Sequence, residues 1–321
     1  MEYRMLGAEK ERVSVIALGG WEFGKSDGFA TADQKEVDAV VGAALDAGVT
    51  LIDTAQIYAN GESETMLGKA LAGKRERVFL ATKFADSQNW EKPEILKRLD
   101  GSLQRLQTDH VDLYQMHTVK RNMSARDVDN MVEAFRDAIR QGKTRYAGIS
   151  NFHREHLEKL PDDAIRLFLT NQVPYNLLWR LYDLQGATDY CRERRISLLA
   201  YSPLAVGLLT GAFTRERRPQ FSALTRTRWL EGDAYEKAMA VVDELRLVAK
   251  ECGHTMAQTA LNWVLRREAV GSAIIGTRSV RHLQDDLGAL GWRMDDTPAA
   301  RLDRVSMEYQ KSLDPNRQSI W

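Results

Sequence analysis

The feature that most constrains the fold is an alternation of strand-like and helix-like segments along most of the chain. Short apolar runs rich in β-branched residues are typical of buried strands. Between them, apolar residues recur at helical spacing, as at Ile95, Leu99 and Leu103. The predicted strands are residues 13–18, 49–53, 78–83, 111–117, 146–151, 167–173, 196–201 and 273–277.

Local signals agree with helices in the intervening segments. A hydroxyl followed three positions later by an acceptor, which is typical of a helix start, occurs at Thr31 and at Ser124. Glycines that would end two of the helices stand at Gly48 and Gly142.

Eight strand-helix units predict parallel strands joined by right-handed crossovers, and eight such units close a barrel. An open doubly wound sheet shows the same alternation and stays an alternative. The G-x-G-x-x-G signature of dinucleotide-binding doubly wound sheets is missing after the first strand, where residues 19–24 read GGWEFG. We therefore predict an α/β fold, a (β/α)8 TIM barrel that forms one domain over residues 1–321.

Two segments fall outside the repeat. Residues 1–12, with strand-like flanks at 2–6 and 12–16, predict an N-terminal β-hairpin that caps the bottom of the barrel. Residues 204–233 are too long for an ordinary connection and predict a lid or a binding loop.

The composition disfavours several classes of protein. The 321 residues carry 45 Lys and Arg against 45 Asp and Glu, so no net charge attracts a nucleic acid. The two cysteines, Cys191 and Cys252, cannot form a disulfide framework, and neither a signal peptide nor a long uncharged apolar segment is evident. We expect a cytoplasmic protein with no membrane partner.

In a barrel of this kind the chemistry lies at the carboxyl ends of the strands. An acid, an amine and an imidazole, Asp53, Lys83 and His117, end three successive apolar runs. Each alone has an ordinary explanation, as a helix cap, a solvated charge or a structural histidine. A buried lysine is costly unless a carboxylate lies beside it, and Asp53 supplies one. Tyr58 follows closely and can fold back over the same rim.

Short motifs occur in a fixed order along the chain. They are LIDTAQIY at 51–58, GESE at 61–64, ATK at 81–83, DLYQMH at 112–117, GISN at 148–151, NQVPYN at 171–176 and YSPL at 201–204. This ordered set resembles the aldo-keto reductase superfamily, and within it a bacterial branch with a GLLTG loop, here residues 207–211. The resemblance implies a TIM barrel that binds a nicotinamide dinucleotide without a Rossmann fold.

The resemblance also implies a catalytic group of four. Tyr58 would be the general acid, Lys83 and Asp53 the pair that tunes it, and His117 the residue that orients the carbonyl. Carbonyl reduction needs a hydride from the cofactor and a proton for the emerging alkoxide. A phenol is a poor acid near neutral pH, so we expect the cation of Lys83 to lower the pKa of Tyr58. A neutral His117 that donates to the substrate oxygen and a charged one that is itself the acid both stay open.

For the cofactor, the resemblance implies that Ser150, Asn151 and Gln172 hold the nicotinamide carboxamide and that Tyr201 stacks on the ring. Tyr201 has the alternative of a rim aromatic that only packs. The predicted cofactor contacts are Gly20, Trp21, Asp53, Ser150, Asn151, Gln172, Tyr201, Ser202, Leu204, Gly207, Leu209, Gly276, Thr277, Arg278, His282, Asp285 and Asp286.

Preference for NADP over NAD rests on the start of one late helix. By resemblance, Thr277 and Arg278 would bind the 2′-phosphate of NADPH there. The sequence departs from the family pattern at His282 and at the pair Asp285 and Asp286, where an extra carboxylate disfavours a phosphate. Three loop arginines either close over the phosphates or are solvated charges: Arg215, Arg217 and Arg218.

The predicted substrate contacts are Trp21, Tyr58, Phe84, Trp90 and His117. Further aromatic candidates are Tyr175, Trp229 and the tail 316–321, although tryptophans could equally pack the barrel. We expect an NADP-dependent oxidoreductase that reduces an aldehyde, ketone or sugar carbonyl, with no metal. The alternatives are a cofactor-binding regulatory subunit without turnover and an unrelated barrel isomerase or lyase. A monomer and a homo-oligomer both stay open.

Overall fold

The structure, a computed structural model, describes residues 1–8, 11–25, 32–85, 89–120, 122–219 and 233–313. The strands are β1 (Tyr3–Leu6), β2 (Glu11–Ser14), β3 (Ile16–Gly19), β4 (Leu51–Asp53), β5 (Phe79–Phe84), β6 (Val111–Met116), β7 (Thr144–Ser150), β8 (Phe168–Pro174), β9 (Ser197–Tyr201) and β10 (Val270–Gly276). The α-helices are α1 (Gln34–Asp46), α2 (Glu62–Ala70), α3 (Lys92–Leu106), α4 (Ala125–Arg140), α5 (Arg154–Leu157), α6 (Asp162–Ile165), α7 (Leu181–Leu184), α8 (Ala187–Glu193), α9 (Asp233–Cys252), α10 (Met256–Leu265), α11 (Val280–Leu287) and α12 (Asp296–Ser312).

Strands β3 to β10 form a closed parallel barrel. Each strand pairs with the next in the chain, and β10 pairs with both β9 and β3, which closes the ring. The prediction of a (β/α)8 barrel rather than an open doubly wound sheet is therefore confirmed. Each predicted barrel strand after the first overlaps an observed one.

The N-terminal hairpin is also confirmed. Strands β1 and β2 pair antiparallel, from Tyr3 opposite Ser14 to Leu6 opposite Glu11. Leu6 is fully buried, and the Gly7 N–H donates to the Ser197 Oγ at 2.9 Å, at the amino-terminal end of β9. The hairpin thus covers the end of the barrel opposite the strand carboxyl ends.

The predicted strand 13–18 is divided between the hairpin and the barrel. Strand β2 ends at Ser14 and β3 begins at Ile16. The Ser14 Oγ donates to the carbonyl of Ile16 at 2.7 Å and accepts the Thr50 N–H at 3.0 Å. These two side-chain hydrogen bonds of Ser14 lie at the point where β2 ends and β3 begins.

Amphipathic helices surround the barrel. Helix α4 buries one face, which includes Val128, Met131 and Phe135, against the sheet. Its predicted start is confirmed, because the Ser124 Oγ accepts the Asp127 N–H at 3.2 Å. Among the described helices, none combines the length and apolar character that crossing a bilayer requires.

One predicted helix start is wrong. Helix α1 is capped by Asp33, whose carboxylate accepts the Glu36 N–H at 2.8 Å, while Thr31 lies outside the described residues. Both predicted stops are confirmed, because Gly48 and Gly142 follow α1 and α4 with left-handed φ values of 86° and 70°.

Candidate active site

Asp53 and Lys83 meet at the carboxyl end of the barrel. The Lys83 Nζ lies 2.5 Å from the Asp53 Oδ2 and 2.7 Å from the carbonyl oxygen of Thr54. Lys83 is fully buried and Asp53 nearly so. An ammonium in such surroundings needs the carboxylate beside it, as the sequence analysis anticipated.

The second oxygen of Asp53 is also satisfied. The Asp53 Oδ1 accepts the Gln172 Nε2 at 2.8 Å and the Gln115 Nε2 at 3.2 Å. Both amides come from barrel strands, β8 and β6, and both side chains are buried. The carboxylate is therefore held by donors on three strands.

Tyr58 is brought over this pair by a tight turn after β4. Ala59, Asn60 and Gly61 have φ values of 48°, 54° and 90°, so three successive residues are left-handed. The centre of the Tyr58 ring lies 5.0 Å from the Lys83 Nζ. The chain therefore folds back over the rim, as expected from the sequence.

His117 completes the group. Its ring centre lies 5.5 Å from that of Tyr58, edge to face at 81°. Its Nδ1 is buried and has no hydrogen-bond partner among the described residues. A buried polar atom without a partner beside a tyrosine is an arrangement that a bound ligand would complete.

The electrostatics of the group differ in one respect from the expectation. Burial raises the pKa of Tyr58 well above its ordinary value, and the charge of Asp53 adds to the rise. Desolvation of the phenolate therefore sets the direction of the shift in the chain alone, opposite to the lowering expected from Lys83. Burial also lowers the pKa of Lys83, against the opposing effect of Asp53.

The same surroundings favour a neutral His117. Burial, and then the charge of Lys83, hold the pKa of the imidazole well below its ordinary value. Of the two roles left open by the sequence, the geometry favours the neutral imidazole over the charged acid.

A hydrogen-bonded rim lies beside the group of four. The Ser150 Oγ donates to the Gln172 carbonyl at 2.7 Å, and the Asn151 Nδ2 donates to the His117 carbonyl at 3.0 Å. The Tyr201 hydroxyl donates to the Asn151 Oδ1 at 3.0 Å. Asn151 is left-handed, with a φ of 64°, a strained backbone of the kind found at binding sites.

The three residues predicted to hold the carboxamide already have partners in this rim. Asn151 uses both ends of its amide, and the Gln172 nitrogen is bonded to Asp53. Gln172 therefore has its Oε1, an acceptor, as the atom to offer a carboxamide N–H. Ser202, next to Tyr201, is left-handed like Asn151, with a φ of 49°.

Gly20 and Trp21 stand at the end of β3. A Cβ on Gly20 would lie 2.9 Å from the Ser63 Oγ. The close approach of these two segments of the backbone therefore requires glycine. The Gly20 N–H donates to the Asp53 carbonyl at 2.7 Å. Trp21 is 38% exposed beside this junction.

The predicted phosphate end lies after β10. Gly276 and Arg278 are exposed, and Thr277 is buried with its Oγ1 accepting the Ser279 N–H at 3.1 Å. Ser279 gives α11 no side-chain cap. The first-turn N–H groups of this helix are thus not satisfied by a cap and can receive an anion.

Carboxylates lie close to this helix. Burial raises the pKa of Asp286 to about 7, and the charges of Asp285 and Glu22 add to the rise. Burial also raises the pKa of Glu22, against the charges of Arg278 and His282. The departure from the family pattern therefore places acids beside the residues predicted to bind a 2′-phosphate.

The comparisons with known proteins agree with this arrangement. A family model described as "Aldo/keto reductase family" matches residues 15–307. The chain belongs to the aldo/keto reductase family.

The similarity to other family members extends over the whole barrel. The chain is 35% identical to the uncharacterized oxidoreductase YrpG of Bacillus subtilis (strain 168), over 92% of this chain and 93% of the relative. It is 31% identical to the chloroplastic pyridoxal reductase of Arabidopsis thaliana, over 95% and 86%. Its fold matches the solved structure of a glycerol dehydrogenase from Gluconobacter oxydans with a TM-score of 0.82 and 27% identity, over 98% and 97%.

In this aldo/keto reductase, three of the aromatic residues predicted to contact a substrate are buried. Phe84, Trp90 and Tyr175 are each at most 1% exposed. Successive strand residues point to opposite faces, so Lys83 turns into the barrel and Phe84 turns outward to the helices. Trp229 and the tail 316–321 lie outside the described residues.

The loop after β9 contains the GLLTG motif and is held by its own backbone. The N–H groups of Gly207 and Leu209 both donate to the Leu204 carbonyl, at 3.0 and 3.2 Å. Val206 has a φ of 53°, which is unusual for a β-branched residue. The Leu209 side chain is fully buried, so only backbone atoms of this residue can face a cofactor.

The loop arginines pair with acids of α9 rather than extending freely. Arg215 lies 2.7 Å from Asp243 and 3.3 Å from Glu236, and Arg218 lies 2.8 Å from Glu236. Arg217 donates to the Ala212 carbonyl. These contacts favour solvated loop charges over a clamp on the phosphates.

The sequence analysis missed Gln115 and Glu22. Gln115 lies opposite Lys83 in the register of β5 and β6. A polar residue two positions after the inward-facing Leu113 was a signal that could have been used, because residues two apart share a face. Glu22 gave no such signal, since its proximity to Asp286 depends on how the barrel closes.

Proposed function

We propose that this chain is an NADP-dependent aldo-keto reductase, in which Tyr58 is the general acid that protonates the oxygen of an aldehyde, ketone or sugar carbonyl. The observation that carries the proposal is the convergence of Tyr58 and His117 on the buried pair of Lys83 and Asp53. We assign this activity to one barrel domain over residues 1–321 in the cytoplasm.

The residues present fit a nicotinamide dinucleotide. The partnerless Nδ1 of His117, the strained Asn151 and the uncapped start of α11 are separate features of one rim that a long, polar ligand would engage. When bound, the reduced cofactor would supply the hydride for the carbonyl carbon and be oxidised as the carbonyl is reduced to an alcohol. Ser150, Gln172 and Tyr201 would hold its nicotinamide end, and Thr277 and Arg278 its phosphate end.

Three side chains take part in supplying the proton: Tyr58, Lys83 and His117. With its pKa raised, Tyr58 keeps its proton at neutral pH until a substrate oxygen gains negative charge. Lys83 places a cation by the same ring, which stabilises the phenolate left after transfer. A neutral His117 can donate a hydrogen bond to the carbonyl oxygen and align it with the Tyr58 hydroxyl.

The choice of NADPH over NADH rests on Arg278. Its exposed guanidinium stands two residues before the start of α11, where it and the helix N–H groups favour a phosphate. The nearby Asp286 and Glu22 oppose it, so we propose a preference rather than an exclusion of NADH.

Exposed apolar side chains that follow β3 and β4 bear on the substrate class. Trp21, two residues after β3, is 38% exposed, and Ile57, which precedes Tyr58 in the chain, is 49% exposed. A relative named pyridoxal reductase and a structural neighbour named glycerol dehydrogenase suggest an aromatic aldehyde and a small polyol as first compounds. Because of the exposed apolar surface, we favour the aromatic aldehyde.

The test combines cofactor binding with turnover. We expect NADPH to quench the protein fluorescence and to be consumed when aromatic aldehydes are added, and Tyr58→Phe to retain the NADPH affinity while kcat falls about 100-fold or more. Tyr3→Phe is the control, since it removes a hydroxyl at the opposite end of the barrel. Near-normal turnover by Tyr58→Phe would exclude Tyr58 as the acid.

The same experiment addresses the alternative of a regulatory subunit. Tight binding of NADPH with no turnover of any reactive aldehyde would favour that alternative. The complete group of four argues against it, because a subunit that only binds a cofactor has no need of a positioned acid.

A further inference from the structure

Gln115 lies inside the barrel with both ends of its amide bonded. Its Nε2 donates to the Asp53 Oδ1 at 3.2 Å, and its Oε1 accepts the Thr170 hydroxyl at 3.3 Å. Gln115 and Thr170 are both fully buried. We infer that Gln115 is a positioning residue for catalysis, which holds the Asp53 carboxylate in line with Lys83; the inference rests on the proposed function.

The direction of the amide follows from its neighbours. A carboxylate can only accept hydrogen bonds, so the nitrogen of Gln115 must face Asp53. The oxygen then needs a donor, and the Thr170 hydroxyl is the donor that the structure provides. Thr170 on β8 thus donates to Gln115 on β6, which donates to Asp53 on β4. Lys83 on β5 donates to the other oxygen of the same carboxylate.

The space for these hydrogen-bonded side chains depends on Gly148. In the barrel register, Gly148 lies between Gln115 on one side and Thr170 on the other. A Cβ at position 148 would lie 2.6 Å from the Thr170 Oγ1 and 2.9 Å from the Gln115 Cγ. This glycine is therefore needed for space, and its role is independent of the hydrogen bonds themselves.

The two amides on Asp53 differ in what they face. Gln172 belongs to the rim, where its backbone carbonyl accepts the Ser150 hydroxyl. Gln115 is bonded from the interior, between Asp53 and Thr170, where a ligand at the rim does not displace it. Gln115 therefore fixes the rotation of the carboxylate whether or not a cofactor occupies the rim.

The consequence for Tyr58 is indirect. When the Asp53 Oδ1 is held, its Oδ2 stays on the Lys83 ammonium, and the cation stays by the Tyr58 ring. When Gln115 is lost, Gln172 alone holds the Asp53 Oδ1, and it does so from the rim. The carboxylate is then held less firmly, and the ammonium beside it can shift. Small displacements of catalytic groups lower rates by large factors.

Two substitutions of Gln115 separate positioning from packing. Gln115→Met keeps the length of the side chain and removes the donor, so we expect kcat to fall about 10-fold to 100-fold at every pH, with the NADPH Kd unchanged. Gln115→Glu can donate to Asp53 when protonated and repels it when ionised. We expect its kcat to approach the wild-type value at acidic pH and to fall as the pH rises through the pKa of the new carboxyl.

Equal losses for both variants at every pH would show a packing role only and would overturn the inference, as would wild-type turnover by Gln115→Met. If these variants fold poorly, Thr170→Ser and Thr170→Val are a milder pair. Serine keeps the donor and should keep kcat, and valine should lower it. Equal kcat values for the two would also overturn the inference.

A second readout separates this inference from the proposed function. If the wild-type protein reduces no aldehyde, the proposed function fails, and denaturant unfolding of Gln115→Met, Asp53→Asn and the double variant still decides whether Gln115 holds Asp53. We expect the double variant to lose less than the sum of the single losses in unfolding midpoint. Additive losses would overturn the positioning of Asp53 by Gln115.

Discussion

The Nζ of Lys83 lies 2.5 Å from the Oδ2 of Asp53, at a point where the lysine has no exposed surface. Removing two charges from water costs free energy that their attraction recovers only while both are present. Each of the two buried charges therefore depends on the other in the folded chain.

We predict that the costs of losing Asp53 and Lys83 are not additive. Asp53→Asn leaves a buried ammonium without its counter-charge and should lower the free energy of unfolding by about 3–5 kcal/mol. The double variant Asp53→Asn with Lys83→Met should lose less than the sum of the two single variants. Denaturant unfolding measures both quantities.

The control for this comparison of single and double variants is an exposed ion pair. Arg192 and Asp189 lie 3.2 Å apart on the surface of α8, and about half or more of each side chain is exposed. Removing either should change stability by less than about 1 kcal/mol. Additive costs at Asp53 and Lys83 would mean that they do not depend on each other.

Arg278 should set the preference between the two nicotinamide dinucleotides. Arg278→Ala removes the guanidinium before α11, so we expect KM for NADPH to rise about 10-fold and KM for NADH to stay nearly constant. Arg281→Ala, which removes an exposed charge from the same helix, is the matched control. An unchanged ratio of the two KM values in Arg278→Ala would rule out this role.

Asp286 should make stability depend on pH. Its pKa is raised from 3.8 to about 7, so the folded chain binds a proton that the unfolded chain releases between these values. Stability therefore falls as the pH rises from about 4 to about 7, by about 4 kcal/mol at most, and the loss persists above that range. Asp286→Asn should flatten this dependence and raise the melting temperature above neutral pH.

Thermal unfolding across this pH range measures the effect. Glu268→Gln, which removes an exposed carboxylate elsewhere, should keep the wild-type profile. Parallel profiles for wild type and Asp286→Asn would show that Asp286 does not titrate in this range.

Gly61 should be needed for both space and conformation. It has a φ of 90°, and an added Cβ would lie 2.7 Å from the Arg105 Cδ. Gly61→Ala should displace Arg105 from the buried Glu64, which its Nε contacts at 2.7 Å, and destabilise the turn that carries Tyr58. We expect a loss of about 2–4 kcal/mol and a lower kcat.

Gly73→Ala separates the two effects. Gly73 also has a left-handed φ, 70°, but an added Cβ there would meet nothing within 4 Å. Its loss should be limited to backbone strain, about 1–2 kcal/mol. Equal losses at the two positions would show that Arg105 adjusts without cost.

The fold was predictable because it depends on patterns within the chain. Alternation of apolar runs and helical segments predicted the barrel, and strand ends predicted that Asp53 and Lys83 would meet. The direction in which the pKa of Tyr58 shifts was not predictable, since it depends on how deeply neighbouring segments of the fold bury the hydroxyl. The outward direction of the Phe84 side chain follows from that of its neighbour Lys83, because successive strand residues point to opposite faces.

Closure of the barrel through β3 and β10 has a consequence for synthesis on the ribosome. Ile16 and Ala273 are partners in this seam although they lie near opposite ends of the chain. The ring therefore cannot be completed until the last barrel strand has left the exit tunnel, and the apolar edge of β3 stays unpaired until then. We expect a nascent chain truncated before β10 to depend on chaperones to a degree that the finished protein does not.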